Sequence, residues 1–177
     1  MVVITGDANL GPVPAEQLHL YGGTAGRVAA LTDLTDLDAG IVLDAVIGYG
    51  LRGAPGGASR EMIEWAAETS AQTIALDVPS GIDSTTGETP GQHVNAAVTM
   101  TLALPKTGLD AASVGDLWLA DIGIPQEVYR RVGLEVSADV FGAEYRVLLS
   151  QGCDPPATVP AFASRLTFLS SHPELRG

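Results

Sequence analysis

The stretch that decides the fold reads Thr73-Ile74-Ala75-Leu76-Asp77-Val78-Pro79-Ser80-Gly81-Ile82-Asp83. Its short apolar run ends in a carboxylate and is broken at once by Pro-Ser-Gly, which neither continues a strand nor begins an ordinary helix. This pattern is typical of the carboxyl end of a buried parallel strand that turns into a ligand-binding loop. Two carboxylates and a hydroxyl therefore lie within seven positions at an edge where α/β proteins bind ligands.

Strands and helices alternate on both sides of this stretch. Apolar runs predict strands at 2–5, 41–46, 73–76, 96–103, 117–120 and 145–149. Helices are predicted at 14–31, at 60–70 behind an N-cap at Ser59, and at 126–132 behind Pro125. The alternation indicates an α/β fold, in which a mostly parallel sheet carries helices on both faces. We expect one domain over residues 1–150 and an appended tail over 151–177.

The composition excludes several classes of function. With 9 Lys and Arg against 21 Asp and Glu, the net charge is -12. Such a surface repels phosphate backbones and anionic lipids, so we expect no nucleic-acid and no membrane partner. The single cysteine, Cys153, excludes an internal disulfide and fits a cytoplasmic protein. No apolar run approaches the length of about 18 residues that spans a bilayer.

Two predicted strands carry an aspartate at or near their carboxyl ends, Asp44 and Asp77. Ligands of open α/β sheets bind in the crevice outside that edge. A carboxylate there can coordinate a cation, accept a hydroxyl proton or orient a water molecule. Either aspartate alone would serve equally well as the cap of a turn or a helix N-terminus. The two together, with Ser80 close to Asp77 in sequence, favour a functional site.

A glycine-rich loop follows the first of these strands and reads Gly48-Tyr49-Gly50-Leu51-Arg52-Gly53-Ala54. Its first six residues match G-x-G-x-x-G, the textual form of a dinucleotide-binding fingerprint. In that fingerprint the helix begins within the glycines, so that its N-terminus meets the pyrophosphate. Here Pro55 and two further glycines delay the predicted helix to Ser59. A loop that closes over some other ligand is therefore favoured, and Arg52 can reach a phosphate from it.

Lys106 is the single lysine of the chain and follows the predicted strand at 96–103. This position places it on the same carboxyl edge as Asp44 and Asp77, where it can contact a ligand. The alternative is a solvated loop lysine with no role in a site.

Several blocks of the sequence together resemble one family. They are 44–53, 76–83, Thr86-Gly87, 98–101, Pro105-Lys106-Thr-Gly-Leu109, Gly115-Asp-Leu-Trp118 and Asp121-Ile-Gly-Ile-Pro125. Their order and spacing are similar to those of the NAD(P)H-hydrate epimerase family, also called the YjeF N-terminal domain. The resemblance runs from residue 36 to 149, and less clearly back to residue 1.

The resemblance implies a three-layer Rossmann-like α/β fold that is usually dimeric. It implies an isomerase that interconverts the R and S hydrates of NADH and NADPH, a nucleotide repair reaction that feeds a separate dehydratase. It also implies a potassium ion beside the substrate. Carried over by position, the cation ligands are Asp44 and Ser80, and the hydrate-binding residues are Gly48, Tyr49, Gly50, Leu51, Arg52, Gly53, Ala54 and Asp77. Asp77 is the candidate catalytic residue.

The sequence departs from the family in one respect. The family carries an Asn-Asn-Gly-Gly-Asp-Gly loop after its first strand, which holds the phosphates and supplies an Asn to the cation. The residues Gly6-Asp7-Ala8-Asn9 are no substitute for that loop. We therefore expect the domain to be N-terminally incomplete relative to the family, without a central strand, and the isolated chain to fold poorly or to associate.

Three functions remain open on the sequence. The first is an NAD(P)H-hydrate epimerase that works by acid–base chemistry at C6 of the hydrated nicotinamide ring. The second is a non-catalytic ligand-binding or interaction domain of the same fold. The third is a nicotinamide-dependent oxidoreductase that uses the loop Gly48–Gly53.

Overall fold

The computed structural model describes residues 2–4, 10–109, 114–137, 139–151 and 166–168. The strands are β1 (Val2–Ile4), β2 (Arg27–Ala29), β3 (Ile41–Asp44), β4 (Gln72–Leu76), β5 (Val98–Leu102), β6 (Asp116–Ala120), β7 (Arg146–Gln151) and β8 (Leu166–Phe168). The α-helices are α1 (Pro12–Gly22), α2 (Gly57–Glu68) and α3 (Gln126–Arg131), and a 3-10 helix spans Leu31–Asp36. No helix in the described ranges has the length and apolar character needed to cross a bilayer.

The larger sheet has the strand order β3-β4-β5-β6-β7-β8, and its first four strands run parallel. β7 and β8 continue the sheet in antiparallel orientation, while β1 and β2 form a separate parallel pair. Parallel neighbours need a crossover connection, and α2 lies in the connection between β3 and β4. The predicted α/β fold with a mostly parallel sheet is confirmed. Its order brings the carboxyl ends of β3, β4 and β5 side by side.

Residues of the loop that follows β4 are buried in the same hydrophobic core as residues of the strands. One buried cluster comprises Val78, Ile82, Leu109, Val114, Leu117, Leu119 and Leu149. Val78 and Ile82 come from that loop, so the segment on either side of Ser80 is packed into the core rather than left on the surface. A second buried cluster joins α2 to the chain after the loop and comprises Ile63, Ala66 and Val94.

The predicted helix at 14–31 is wrong in its second half. α1 ends at Gly22, and residues 27–29 form β2 instead. The backbone N–H groups of Gly23 and Thr24 bond to the carbonyls of Leu20 and Tyr21, which closes the last turn of the helix. The consecutive glycines at 22 and 23 favour this ending, because glycine loses more conformational entropy in a helix than any other residue.

The predicted N-cap at Ser59 is also wrong. α2 begins at Gly57, its N-cap is Gly56, and no side chain caps it. The Gly56 carbonyl accepts a bond from the N–H of Arg60, so Ser59 already lies in the first turn. β3 is likewise shorter than the predicted strand at 41–46. It ends at Asp44, whose own carboxylate accepts the N–H of Val46 at 3.3 Å and turns the chain out of the sheet.

The tail at 151–177 lies mostly outside the described residues, and the division into a domain and a tail stays a prediction. Cys153 belongs to that undescribed part. Within the tail β8 pairs with β7, with Leu149 opposite Phe168. The remaining predicted strands and the helix after Pro125 agree with the structure to within a few residues.

Candidate functional site

Asp44 and Ser80 meet at the carboxyl edge of the sheet. β3 and β4 pair in parallel with Asp44 opposite Ala75, so the loop after β4 begins beside the end of β3. The backbone N–H of Ser80 donates to Asp44 Oδ2 at 2.7 Å, and the Ser80 hydroxyl donates to Asp44 Oδ1 at 2.6 Å. Asp44 is 2% exposed and Ser80 is fully buried. The structure therefore brings together Asp44 and Ser80, the two residues that the family resemblance implies as cation ligands.

Ile47 completes this cluster through its backbone. Its N–H donates to Ser80 Oγ at 2.8 Å, and its carbonyl lies 3.1 Å from the same oxygen. Asp44, Ser80 and the backbone of Ile47, here called the Asp44–Ser80 junction, thus place a carboxylate, a hydroxyl and a carbonyl oxygen together. Sequence reasoning missed Ile47, because a backbone carbonyl leaves no mark in the residue type.

The electrostatics of the junction are dominated by burial. Desolvation raises the pKa of Asp44 above 3.8, against the bonds from the Ser80 hydroxyl, the Ser80 N–H and the Val46 N–H, which lower it. None of the ion pairs within the described ranges involves Asp44. The junction therefore carries a buried carboxylate whose ionised form would gain from a nearby cation.

Gly81 fixes the course of the chain beside Ser80. Its φ of +94° is a conformation that side-chain-bearing residues rarely adopt. A Cβ atom at this position would lie 2.3 Å from the carbonyl oxygen of Gln92. The two backbone segments are also joined by a hydrogen bond, in which the N–H of Val94 donates to the carbonyl of Ser80 at 2.9 Å. The Pro-Ser-Gly sequence thus serves both a turn and a tight backbone contact.

Asp77 lies three residues before Ser80 but belongs to a second cluster. Its Oδ1 accepts the N–H of Leu102 at 3.0 Å and the Thr101 hydroxyl at 3.4 Å, and it forms an ion pair with Lys106. Within the described residues no hydrogen bond joins it to Asp44 or Ser80. The Lys106 side chain is 18% exposed, so the alternative of a solvated loop lysine is wrong.

Asp83, the second carboxylate of the opening stretch, has a structural role. Its Oδ1 accepts the N–H groups of Thr85 at 2.8 Å and Thr86 at 2.9 Å. The bond from the Thr86 N–H, and after it the bond from the Thr85 N–H, lower the pKa of Asp83. Asp83 therefore caps the turn that ends the loop, which is the role that the capping alternative gave to aspartates here.

The loop Gly48–Ala54 is largely exposed, and Tyr49 at its tip is 75% exposed. The exposed side chains include Arg52, and Gly53 adopts a left-handed conformation with φ of +69°. α2 begins at Gly57, after the three fingerprint glycines and not among them. The loop therefore lacks the helix N-terminus that a standard dinucleotide fingerprint places against the pyrophosphate, as the sequence predicts.

Comparison with known sequences identifies the family. The sequence profile described as "YjeF-related protein N-terminus" matches residues 1–108 of the chain. The chain belongs to this family. The predicted resemblance is thereby confirmed, while the proposed loss of a phosphate-loop segment stays a prediction.

Curated relatives of the YjeF N-terminal family carry names that describe an activity. The chain is 46% identical over 141 residues to a protein of Dehalogenimonas lykanthroporepellens named NAD(P)H-hydrate epimerase, a match that covers 80% of this chain and 58% of the relative. It is 43% identical over 112 residues to the "Bifunctional NAD(P)H-hydrate repair enzyme Nnr" of Hyperthermus butylicus, covering 60% of this chain and 20% of the relative. The chain thus spans a little over half of the first relative and a fifth of the second.

A solved structure agrees with the fold of the chain. The crystal structure of yeast ynu0 superposes with a TM-score of 0.68 at 17% identity, covering 84% of this chain and 65% of the yeast chain. At that identity the similarity bears on the fold alone. It supports the α/β architecture with a mostly parallel sheet.

Substitution of two glycines separates backbone strain from crowding. We expect Gly53→Ala to lower the free energy of unfolding by roughly 1–2 kcal/mol, because its φ is positive but no atom of the described residues lies within 4 Å of the added Cβ. Gly81→Ala adds a clash with backbone to the same strain, so the loss should reach roughly 2–5 kcal/mol. Urea unfolding of the two variants measures the difference. Equal losses would contradict the packing described around Ser80.

Proposed function

We propose that this chain is an NAD(P)H-hydrate epimerase domain that interconverts the R and S hydrates of NADH and NADPH. Membership of the YjeF N-terminal family and the printed name of the Dehalogenimonas relative support the proposal. The observation that links the proposed activity to particular residues is the arrangement of side chains at the carboxyl ends of β3 and β4. There a buried Asp44–Ser80 junction and a solvent-accessible carboxylate, Asp77, lie within one short loop of each other.

Asp77 is the proposed catalytic residue. The carbon at C6 of the hydrate bears a hydroxyl and is bonded to the ring nitrogen. Removal of the hydroxyl proton allows the carbon–nitrogen bond to break, with its electron pair leaving on the ring nitrogen and the carbon becoming an aldehyde. Attack of that nitrogen on the other face of the aldehyde re-forms the bond, returns the proton to the oxygen and inverts the centre. A carboxylate that accepts and returns this proton leaves atoms and charge balanced over the cycle.

We propose a potassium ion at the Asp44–Ser80 junction, with Asp44 Oδ1, Ser80 Oγ and the Ile47 carbonyl as ligands. The donors are all oxygens, which hard cations prefer, and no cationic side chain among the described residues pairs with the buried carboxylate. The junction contributes one carboxylate, with a hydroxyl and a carbonyl as neutral donors, so its single negative charge suits a monovalent ion better than a divalent one. When bound, the ion supplies positive charge beside an anionic substrate.

The loop Gly48–Ala54 is the proposed contact to the rest of the nucleotide. Its exposed backbone and the Arg52 guanidinium are free of the sheet and can meet phosphate oxygens. Gly91 lies against Ala54, where an added Cβ would come within 3.1 Å, so the far end of the loop is held near the chain that follows Ser80. The delayed helix disfavours the oxidoreductase hypothesis, which needs the fingerprint geometry.

The remaining partners are proposals of the same kind. The bifunctional relative combines two repair activities in one protein, which supports a functional link between this domain and an NAD(P)H-hydrate dehydratase. The resemblance supports a homodimer, and the single cysteine supports a cytoplasmic location.

Potassium should stabilise the chain through Asp44. In KCl the melting temperature should exceed that in choline chloride of equal ionic strength, and a K⁺ concentration ten times Kd corresponds to about 1.4 kcal/mol. Because burial raises the pKa of Asp44, the folded state loses stability as the pH rises from 3.8 through the folded pKa. The K⁺ effect should therefore be full above that folded pKa and should fade in acid.

Matched variants check the location of the ion. Asp44→Asn should abolish the difference between KCl and choline chloride, whereas Asp116→Asn, at an exposed aspartate, should keep it. An unchanged K⁺ effect in Asp44→Asn would place the ion elsewhere.

Asp77→Asn should lower kcat for epimerisation by about 100-fold or more, because the amide cannot accept the hydroxyl proton. Chromatographic separation of the R and S hydrates of NADH measures the rate, with Asp116→Asn as the control of equal charge change. Full activity in Asp77→Asn would remove this residue from the mechanism. Hydride transfer to a simple substrate by the purified chain would overturn the proposed reaction.

A further inference from the structure

We propose that Lys106 is a positioning residue for Asp77, a role that rests on the proposed epimerase function. Together with Thr101 and the N–H of Leu102 it fixes Oδ1 of the carboxylate. The other oxygen, Oδ2, is thereby presented to the substrate as the proton-accepting atom.

The backbone of β4 and β5 sets up this arrangement. The two strands are parallel neighbours with Leu76 opposite Met100, and the N–H of Asp77 extends the pairing by donating to the Met100 carbonyl at 2.8 Å. Asp77 then takes a φ of +69°, a conformation that aspartate tolerates better than most residues. This conformation ends β4 and leaves the Asp77 side chain beside the last residues of β5, where Leu102 and Thr101 donate to it.

The two oxygens of Asp77 have different surroundings. Every hydrogen bond that the described residues make to this carboxylate goes to Oδ1. Oδ2 has no partner among them, yet the described part of the chain contains no buried side-chain oxygen without a bond. With the side chain 22% exposed, Oδ2 therefore faces solvent. One oxygen is held and the other is available for proton transfer.

The chain after β5 carries Lys106 back to the carboxylate. Ala103 adopts a φ of +64°, and the N–H of Leu104 donates to the carbonyl of Leu102 at 2.7 Å, so the chain folds back on the strand end. The hydroxyl of Tyr129 on α3 donates to the carbonyl of Ala103 at 3.3 Å and fastens this turn. Two residues other than glycine have a positive φ in the described ranges: Asp77 itself, and Ala103, three residues before Lys106.

The hydrogen-bonding capacity of Lys106 assigns it to positioning rather than to ligand binding. An ammonium group donates three hydrogen bonds. Lys106 Nζ has three acceptors in place, namely Asp77 Oδ1, Thr101 Oγ1 at 3.3 Å and the Leu102 carbonyl at 3.0 Å. All three donors are therefore used within the protein, and the charge acts on the substrate through Asp77.

The ion pair can be tested without catalysis, because Lys106 is the single lysine of the chain. Protein labelled with lysine carrying ¹³C at Cε and ¹⁵N at Nζ gives one side-chain signal in the NMR spectrum. We expect Asp77→Asn to move this signal and Asp116→Asn to leave it in place. An unmoved signal in Asp77→Asn would overturn the proposal. A moved signal in a chain without epimerase activity would support the contact and count against the proposed function alone.

Kinetics of Lys106 variants test the role of the contact. Lys106→Met should lower kcat by about 10- to 100-fold with KM nearly unchanged, because a misplaced carboxylate slows proton transfer without weakening binding. Lys106→Arg keeps the charge and should recover part of that loss. A rise in KM at constant kcat would instead make Lys106 a ligand contact, and wild-type rates in Lys106→Met would remove it from the site.

Discussion

The hydrogen-bonded contact between Asp44 and Ser80 is the interaction on which the site depends. It joins the end of β3 to the loop after β4 across 36 residues of sequence, and it is buried from solvent. Two bonds at 2.7 and 2.6 Å hold the loop against the strand end. The position of Ile47, and with it the start of the glycine-rich loop, follows from its bonds to the same hydroxyl. Parallel pairing of β3 and β4 is what makes this contact possible.

The Asp44–Ser80 contact joins two parts of the structure, but burial of the Asp44 carboxylate costs electrostatic free energy. A carboxylate at this depth is destabilised by desolvation, which outweighs its three hydrogen bonds and raises its pKa. A core built for stability alone would be better served by an apolar pair. No described ion pair involves this buried carboxylate, and that observation supports the proposed potassium ion beside it. Asp77, which forms an ion pair with Lys106 at the neighbouring strand end, is a second carboxylate at this edge of the sheet.

Local sequence was enough to predict most strands of the larger sheet and part of the candidate site. The strand at Gln72–Leu76 and the approach of Asp44 to Ser80 follow from apolar runs and from the common edge of parallel strands. The prediction of a helix through residue 31 was wrong because it gave more weight to the apolar pattern than to the consecutive glycines at which α1 ends. Ile47 and the Leu102 N–H escaped prediction since their contribution is made by backbone atoms. The position of Lys106 was predicted, but its saturated hydrogen bonding depends on the turn at Ala103, which has no local signature.

A double-mutant cycle on Asp44 and Ser80 measures the central contact most directly. The free energies of unfolding of Asp44→Ala, Ser80→Ala and the double variant give the coupling between the two side chains, which no single substitution isolates. A coupling of about 1–3 kcal/mol is predicted, since each single variant leaves a buried polar group without its partner. Additivity within about 0.5 kcal/mol would contradict the account, because the two side chains would then not be holding the strand ends together.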